Sequence, residues 1–249
     1  MRATVPLGVR LLGSAALCAM MLVACGGGPS HADLSNSRAV SFPSPDGVKL
    51  DGRLFGDGDT AVVLSHMRPA DQRSWFDFAQ RLADQGYLVL TYDFRGYCPG
   101  GDGGCSQGDQ DIAQIWQDVV GAIDFARSQG ATNVALVGAS MGGTASLVAA
   151  GQEGVDVRAV VTLSAPEAIE GLVADAALLQ REQTNKLFVA GAGDASAADS
   201  AQHLYEISPP PKRVEIVPAD DHGTDLLNGS RGEEVKRLIE TYLAQFAPA

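Results

Sequence analysis

The chain has 249 residues, of which 45% are hydrophobic and 19% charged, and its formal net charge is −12. This is the balance of a globular protein rather than a disordered or fibrous one. The acidity, with no basic patch to offset it, argues against nucleic acid as a partner and against adhesion to anionic lipid through charge. No repeat of roughly 20–50 residues is present.

In chain order, Met1 to Ala24 carries Arg2, Arg10 and no acid, followed by the apolar run Leu11 to Val23. That is the pattern of a signal peptide, too short for a transmembrane helix. It ends in Leu22-Val23-Ala24-Cys25, which resembles a bacterial lipobox. The resemblance implies cleavage before Cys25 and lipid attachment to its sulfur, giving a chain held on the outer side of a membrane by its acyl groups. Gly26-Gly27-Gly28-Pro29-Ser30 and the polar stretch to Arg38 predict a flexible tether over residues 25–38. About 210 residues remain, from 39 to 249, enough for a single domain.

That domain alternates strand and helix patterns. Ala39–Phe42 and Val48–Phe55 flank a Pro/Asp/Gly turn and predict a leading antiparallel pair. The apolar runs Ala61–Leu64, Tyr87–Tyr92, Val134–Val137, Val157–Leu163, Lys186–Ala190 and Arg213–Val217 predict buried strands. Helical spacing marks Ser74–Gln85, Asp111–Ser128, Met141–Ala150, Ala197–Glu206 and Glu233–Phe246, and a shorter apolar stretch, Ala168–Leu179, also predicts a helix. Eight strands interleaved with helices predict a mostly parallel sheet covered on both faces, with an antiparallel edge.

Cys98 and Cys105 bound the glycine-rich segment "CPGGDGGC". Outside the cytoplasm such a pair reads as a disulfide, while two thiols without nearby histidines fall short of a metal site.

The chemistry concentrates at Gly138-Ala139-Ser140-Met141-Gly142, which fits G-x-S-x-G between a strand and a helix. A serine on so tight a turn is lifted clear of the sheet, and the helix that follows aims free N–H groups at it. From Val40 to the C-terminus the chain here resembles the α/β-hydrolase family. The resemblance implies an α/β-hydrolase domain and a triad in the order nucleophile, acid, histidine. Ser140 is the nucleophile. Asp194, in "GAGDAS" after the next-to-last strand, is the acid, with Asp220, Asp221 and Asp225 as alternatives on the histidine's own loop. His222, in "PADDHGTD" after the last strand, is the base. The oxyanion hole would use the backbone N–H of Met141 and one from "HMRPADQRSW". The family's spacing favours Arg68, but Met67 stands where the family has glycine, so the choice between the two stays open. His66 would orient this loop. "YDFRG", Tyr92 to Gly96, resembles a second family segment, in which Asp93 and Arg95 would form a structural pair.

The segment Ser164 to Asn185 is too short for a full cap domain. Leu172, Leu178 and Leu179 in it either flank an acyl pocket or pack on the core. The resemblance therefore implies an extracytoplasmic, lipid-anchored serine hydrolase acting on a small-molecule ester or other acyl substrate through an acyl-enzyme, without metal or organic cofactor. Amidase, dienelactone-hydrolase-like and perhydrolase chemistry use the same parts. A lipoprotein that keeps the fold and only binds is the rival from another class.

Overall fold

A computed structural model describes residues 1–2, 34–181 and 184–249. The signal segment, Cys25 and most of the tether lie outside the described residues. The unit that begins at Ala32 is compact by itself. Its elements in chain order are β1 (Ser37–Pro43), β2 (Lys49–Phe55), β3 (Thr60–Ser65), α1 (Phe76–Ala83), β4 (Leu88–Tyr92), α2 (Ile115–Ser128), β5 (Asn133–Ala139), α3 (Met141–Ala150), β6 (Ala159–Leu163), β7 (Ala168–Ile169), β8 (Leu172–Val173), α4 (Ala176–Leu179), β9 (Asn185–Gly191), α5 (Ala195–Ile207), β10 (Lys212–Val217) and α6 (Gly232–Phe246).

Eight strands form one sheet in the order β1-β2-β4-β3-β5-β6-β9-β10. The first two pairings, β1 with β2 and β2 with β4, are antiparallel, and the rest are parallel. β3, β4, β5 and β6 are apolar or small almost throughout because helices cover both of their faces. One core cluster packs α2, α3 and α5 on one face, and a second packs α1 and α6 on the other. α3, with sequence MGGTASLVAA, is buried along its whole length. Its small residues let it lie close against the sheet: a β-carbon at Gly143 would come within 2.7 Å of the Ala165 side chain.

The register aligns the strand ends that carry the chemistry. Ser65 of β3 pairs with Gly138 of β5, Ala139 with Leu163 of β6, and Gly191 of β9 with Val217 of β10. The loops after these strands therefore emerge along one edge of the sheet, where ligands bind in open α/β sheets.

One predicted element is different. Ala168–Leu179 is not a single helix but the two-stranded hairpin β7–β8 followed by the four-residue helix α4. Glu170 and Gly171 both take positive φ, 45° and 88°, and turn the chain back. Asp175 then starts α4 by accepting the N–H of Leu178 at 2.8 Å. The strand β1 also begins at Ser37, two residues before the expected start, after a single 3-10 turn at Leu34–Asn36.

Candidate active site

β5 ends at Ala139, and the next residue, Ser140, has φ 49° and ψ −121°. A non-glycine residue held there stores strain of about 1–3 kcal/mol, and surrounding packing must impose it. That packing is visible. A β-carbon at Gly138 would collide with the Gly142 carbonyl, and one at Gly142 with the carbonyls of Ser65 and His66. The Ser140 N–H donates to the Leu163 carbonyl at 2.8 Å, and the Ser140 carbonyl accepts from Gly143 N and Thr144 N. Met141 and Gly142 stand ahead of these bonds in the first turn of α3, where N–H groups have no carbonyl within the helix to reach.

Asp194 follows β9 and His222 follows β10. The side chains meet, with His222 Nδ1 2.5 Å from Asp194 Oδ2. The histidine side chain is 44% exposed and the aspartate 16%. The other acids on the histidine's loop are placed elsewhere. The Asp220 carboxylate lies over Gly193 and that of Asp221 over Gly229, while Asp225 is exposed. The histidine loop is drawn onto the elbow by Gly223, whose N–H donates to Ser164 Oγ at 3.1 Å. A β-carbon at Gly223 would be 2.5 Å from Met67 Sδ and 3.5 Å from Ala139 Cβ. Ser164, itself at φ 54°, is a positioning residue that the sequence did not reveal. Its only signal is its place directly after a strand end.

The loop after β3 starts with His66, which is fully buried. Its Nε2 accepts the Phe94 N–H at 3.2 Å, so Nδ1 carries the proton and donates it to the Met67 carbonyl at 2.8 Å. Burial holds its pKa down to about 4, and the ring is neutral. This agrees with a loop-orienting residue. Met67 is buried, and Arg68 extends outward to pair with Glu170 of the β7–β8 turn at 2.6 Å.

Asp93 and Arg95 do not pair with each other, contrary to the expectation. Arg95 binds Asp118 of α2 and Asp46 of the β1–β2 turn. Asp93 accepts the backbone N–H and side-chain amide of Gln72 at 3.0 and 3.1 Å. Two residues apart, the side chains leave the chain in different directions and find partners far away in sequence. Burial raises the Asp93 carboxyl to about 7. Cys98 and Cys105 form a disulfide, and Gln72 Nε2 also donates to Gly103 within that loop at 2.6 Å. Leu179 is buried in the core and Leu178 packs against Gly151 at the far end of α3, so neither stands beside Ser140. Leu172 sits on β8, which packs on the body of α3 and on the Ile112–Gln114 turn.

Among the described residues, no three His, Cys, Asp or Glu side chains gather as a metal site, and no helix is long and apolar enough to cross a membrane.

A serine elbow at the end of β5, with an acid–imidazole pair at the ends of the last two strands, β9 and β10, defines a hydrolase-type α/β architecture. Residues 60–239 match the alpha/beta hydrolase fold family model, and the chain belongs to that family. Solved structures similar to it include an esterase of Pyrococcus furiosus, at 17% identity over 84% of this chain and 91% of that one with a TM-score of 0.69. A dienelactone hydrolase of Anabaena variabilis shares 22% identity, covering 84% of this chain and 97% of that one, with a TM-score of 0.68. An esterase of Exiguobacterium antarcticum shares 18% identity over 82% and 98% of the two chains, with a TM-score of 0.65. At these identities the likeness concerns the fold. A comparison with curated proteins finds no match.

Proposed function

We propose that the protein is a serine hydrolase that cleaves carboxylic esters through Ser140, His222 and Asp194. The observation that carries this reading is the His222 Nδ1···Asp194 Oδ2 contact of 2.5 Å, on the sheet edge where Ser140 is held strained. With Nδ1–H donated to the carboxylate, Nε2 is left as the free base. It takes the proton of Ser140 as Oγ attacks the substrate carbonyl, and it returns that proton to the leaving alkoxide. Water then attacks the acyl-enzyme by the same route. The charge on the substrate oxygen is met by the N–H of Met141 and that of Arg68, or of Met67 beside it. Esters are the favoured substrates because their leaving group needs the least help. The esterases and the dienelactone hydrolase among the similar structures agree with this reading.

We further propose that Cys25 anchors the mature chain to the outer side of a bacterial membrane, on the strength of the Leu22–Cys25 sequence. Replacing it, Cys25→Ser, is expected to move the protein out of the membrane fraction. Continued partition with membranes after signal removal would count against the anchor.

A fluorophosphonate probe tests the hydrolase. The wild type should be labelled and Ser140→Ala should not. A folded wild type that resists labelling would mean that the fold serves a binding protein instead.

A further inference from the structure

We propose that the β7–β8 hairpin closes the acyl side of the site and restricts it to short acyl chains, with Glu170 and Leu172 as the specificity-determining residues. The inference rests on the serine-hydrolase reading above.

The two flanks of Ser140 belong to opposite faces of the sheet. Met67 and Ala139, against which Gly223 packs, are members of the core cluster on the α1 and α6 face, and so are Leu226 and Leu227 just beyond the histidine. Met141, Tyr97, Ala165 and Leu172 belong to the cluster on the α2 and α3 face. His222 must reach the leaving group to protonate it, so the leaving group occupies the first flank. The other substituent on the same carbonyl, the acyl chain, is then directed to the second.

That second flank is already filled. Tyr97 Oη lies 4.0 Å from Met141 Sδ, and Met141 is the residue next to the nucleophile. Leu172 is 2% exposed and Tyr97 8%. The hairpin carrying Leu172 is tied down at its base. Thr144 Oγ1 of α3 donates to the Pro166 carbonyl at 2.5 Å, and Ser200 Oγ of α5 donates to the Ala165 carbonyl at 2.9 Å. Ser200 Oγ also accepts the Glu167 N–H. At its tip, the Glu170 carboxylate accepts from Arg68 Nη2, which joins the hairpin to the loop after β3. The backbone of Gly171 rests near Ala113, where a β-carbon would be 3.3 Å from that side chain. The segment thus runs from α5, past the first turns of α3, to the oxyanion loop. With Tyr97, Met141 and Leu172 packed on this flank, a long acyl chain must displace Leu172 or lift the tip.

The tip is the weaker fastening. Arg68 and Glu170 are 45% and 54% exposed, and exposed pairs are screened by salt. The guanidinium holds the Glu170 carboxyl below its ordinary pKa, so the fastening is present above the usual carboxylate range and lost as the pH falls through the lowered value.

The test is kcat/KM on p-nitrophenyl acetate, butyrate and octanoate, with labelling rates for a short-chain and an octyl fluorophosphonate alongside. The wild type should favour acetate and butyrate over octanoate by about tenfold or more. Leu172→Ala should raise the octanoate-to-acetate ratio by about tenfold, and Glu170→Ala, which loses only an exposed ion pair, by about threefold. High salt should raise the same ratio in the wild type and have no such effect on Glu170→Ala. If Leu172→Ala does not fold, Glu170→Ala, an exposed substitution, decides. A wild type that prefers octanoate, or ratios unchanged in the folded variants, would overturn this inference alone, since labelling would still occur. No labelling by either probe would remove the serine-hydrolase reading and this inference with it.

Discussion

Among the described residues two histidines, His222 and His66, have an aspartate close by, and their surroundings are opposite. His222 and Asp194 are in direct hydrogen-bond contact, with the imidazole nearly half exposed. His66 and Asp93 are 3.8 Å apart and wholly buried, and their hydrogen bonds go to other groups. In the first pair the ring is open to solvent and bonded directly to the carboxylate, which is the arrangement the proposed mechanism needs. In the second, burial disfavours charge on both partners. It lowers the histidine to about 4 and raises the aspartate to about 7. An acid beside an imidazole is therefore not in itself a catalytic device. Exposure and the direct bond separate the pair proposed to cycle a proton from the pair buried beside the loop after β3.

Removing the exposed pair should have the largest effect. In the proposed mechanism His222→Ala deprives Ser140 of its base, and kcat on a short p-nitrophenyl ester is expected to fall about 10⁴–10⁶-fold. Asp194→Asn keeps an imidazole but not its tautomer, and a loss of about 10⁴-fold is expected. Both variants should keep the thermal transition of the wild type within a few degrees. Asp220→Asn and Asp221→Asn, whose carboxylates lie over Gly193 and Gly229, should retain most of the turnover. Near wild-type kcat in Asp194→Asn, with loss in either of the other two, would move the acid.

How much of this contrast was legible in sequence depends on the range of the forces involved. The elbow was legible because its motif is local, two glycines and a serine within five residues, although the carbonyls that exclude a β-carbon at Gly142 belong to Ser65 and His66. Most of the six parallel strands were legible because buried parallel strands are nearly continuous apolar runs, and the antiparallel pair β1 and β2 because a Pro/Asp/Gly turn separates them. Asp194 and His222 could be located by counting strand ends, but not shown to touch. The hairpin was misread because Ala168, Ile169, Leu172, Val173 and Ala176 fall at helical spacing, and only the turn at Glu170-Gly171 overrides it. The partners of Asp93 and Arg95 were hidden for another reason. Gln72, Asp118 and Asp46 are 21, 23 and 49 residues distant, and no local pattern records such contacts. Asp118 gave one unused signal, an acid set beside Ile115 and Val119 on the apolar side of a helix.

A smaller effect should follow from the disulfide, and it should fall on the buried pair rather than on the exposed one. The Cys98–Cys105 loop is joined to Asp93 through Gln72, which donates to Gly103 and to Asp93 with the same amide. Closing so short a loop contributes about 2–3 kcal/mol in the chain-entropy model. Reduction, or the double change Cys98→Ser with Cys105→Ser, should lower the thermal midpoint while kcat changes by less than about threefold. A collapse of kcat at temperatures where the protein stays folded would show that the loop reaches the exposed pair as well.

The finest test of the contrast is the pH dependence of stability. Asp93 has a folded pKa of about 7, above its ordinary value of 3.8. Between these values the folded state holds a proton that the unfolded state has lost, so this group's contribution falls as the pH rises, present below about 3.8 and gone above about 7. His66 has a folded pKa of about 4, below its ordinary 6.5. Between these values the unfolded state holds the extra proton, so its contribution rises with pH and is complete above about 6.5. The two slopes are opposite and each is limited to about 1.4 kcal/mol per pH unit. Together they leave the wild type nearly indifferent to this pair from pH 4 to 6.5. Asp93→Asn removes one slope and leaves the other. The stability of this variant relative to the wild type, measured by urea unfolding at several pH values, should therefore improve steadily as the pH is raised from about 4 to about 7. A difference that stays constant across that range would mean that Asp93 ionises normally inside the fold. In that case burial beside the loop after β3 would leave the Asp93 carboxyl at its ordinary value.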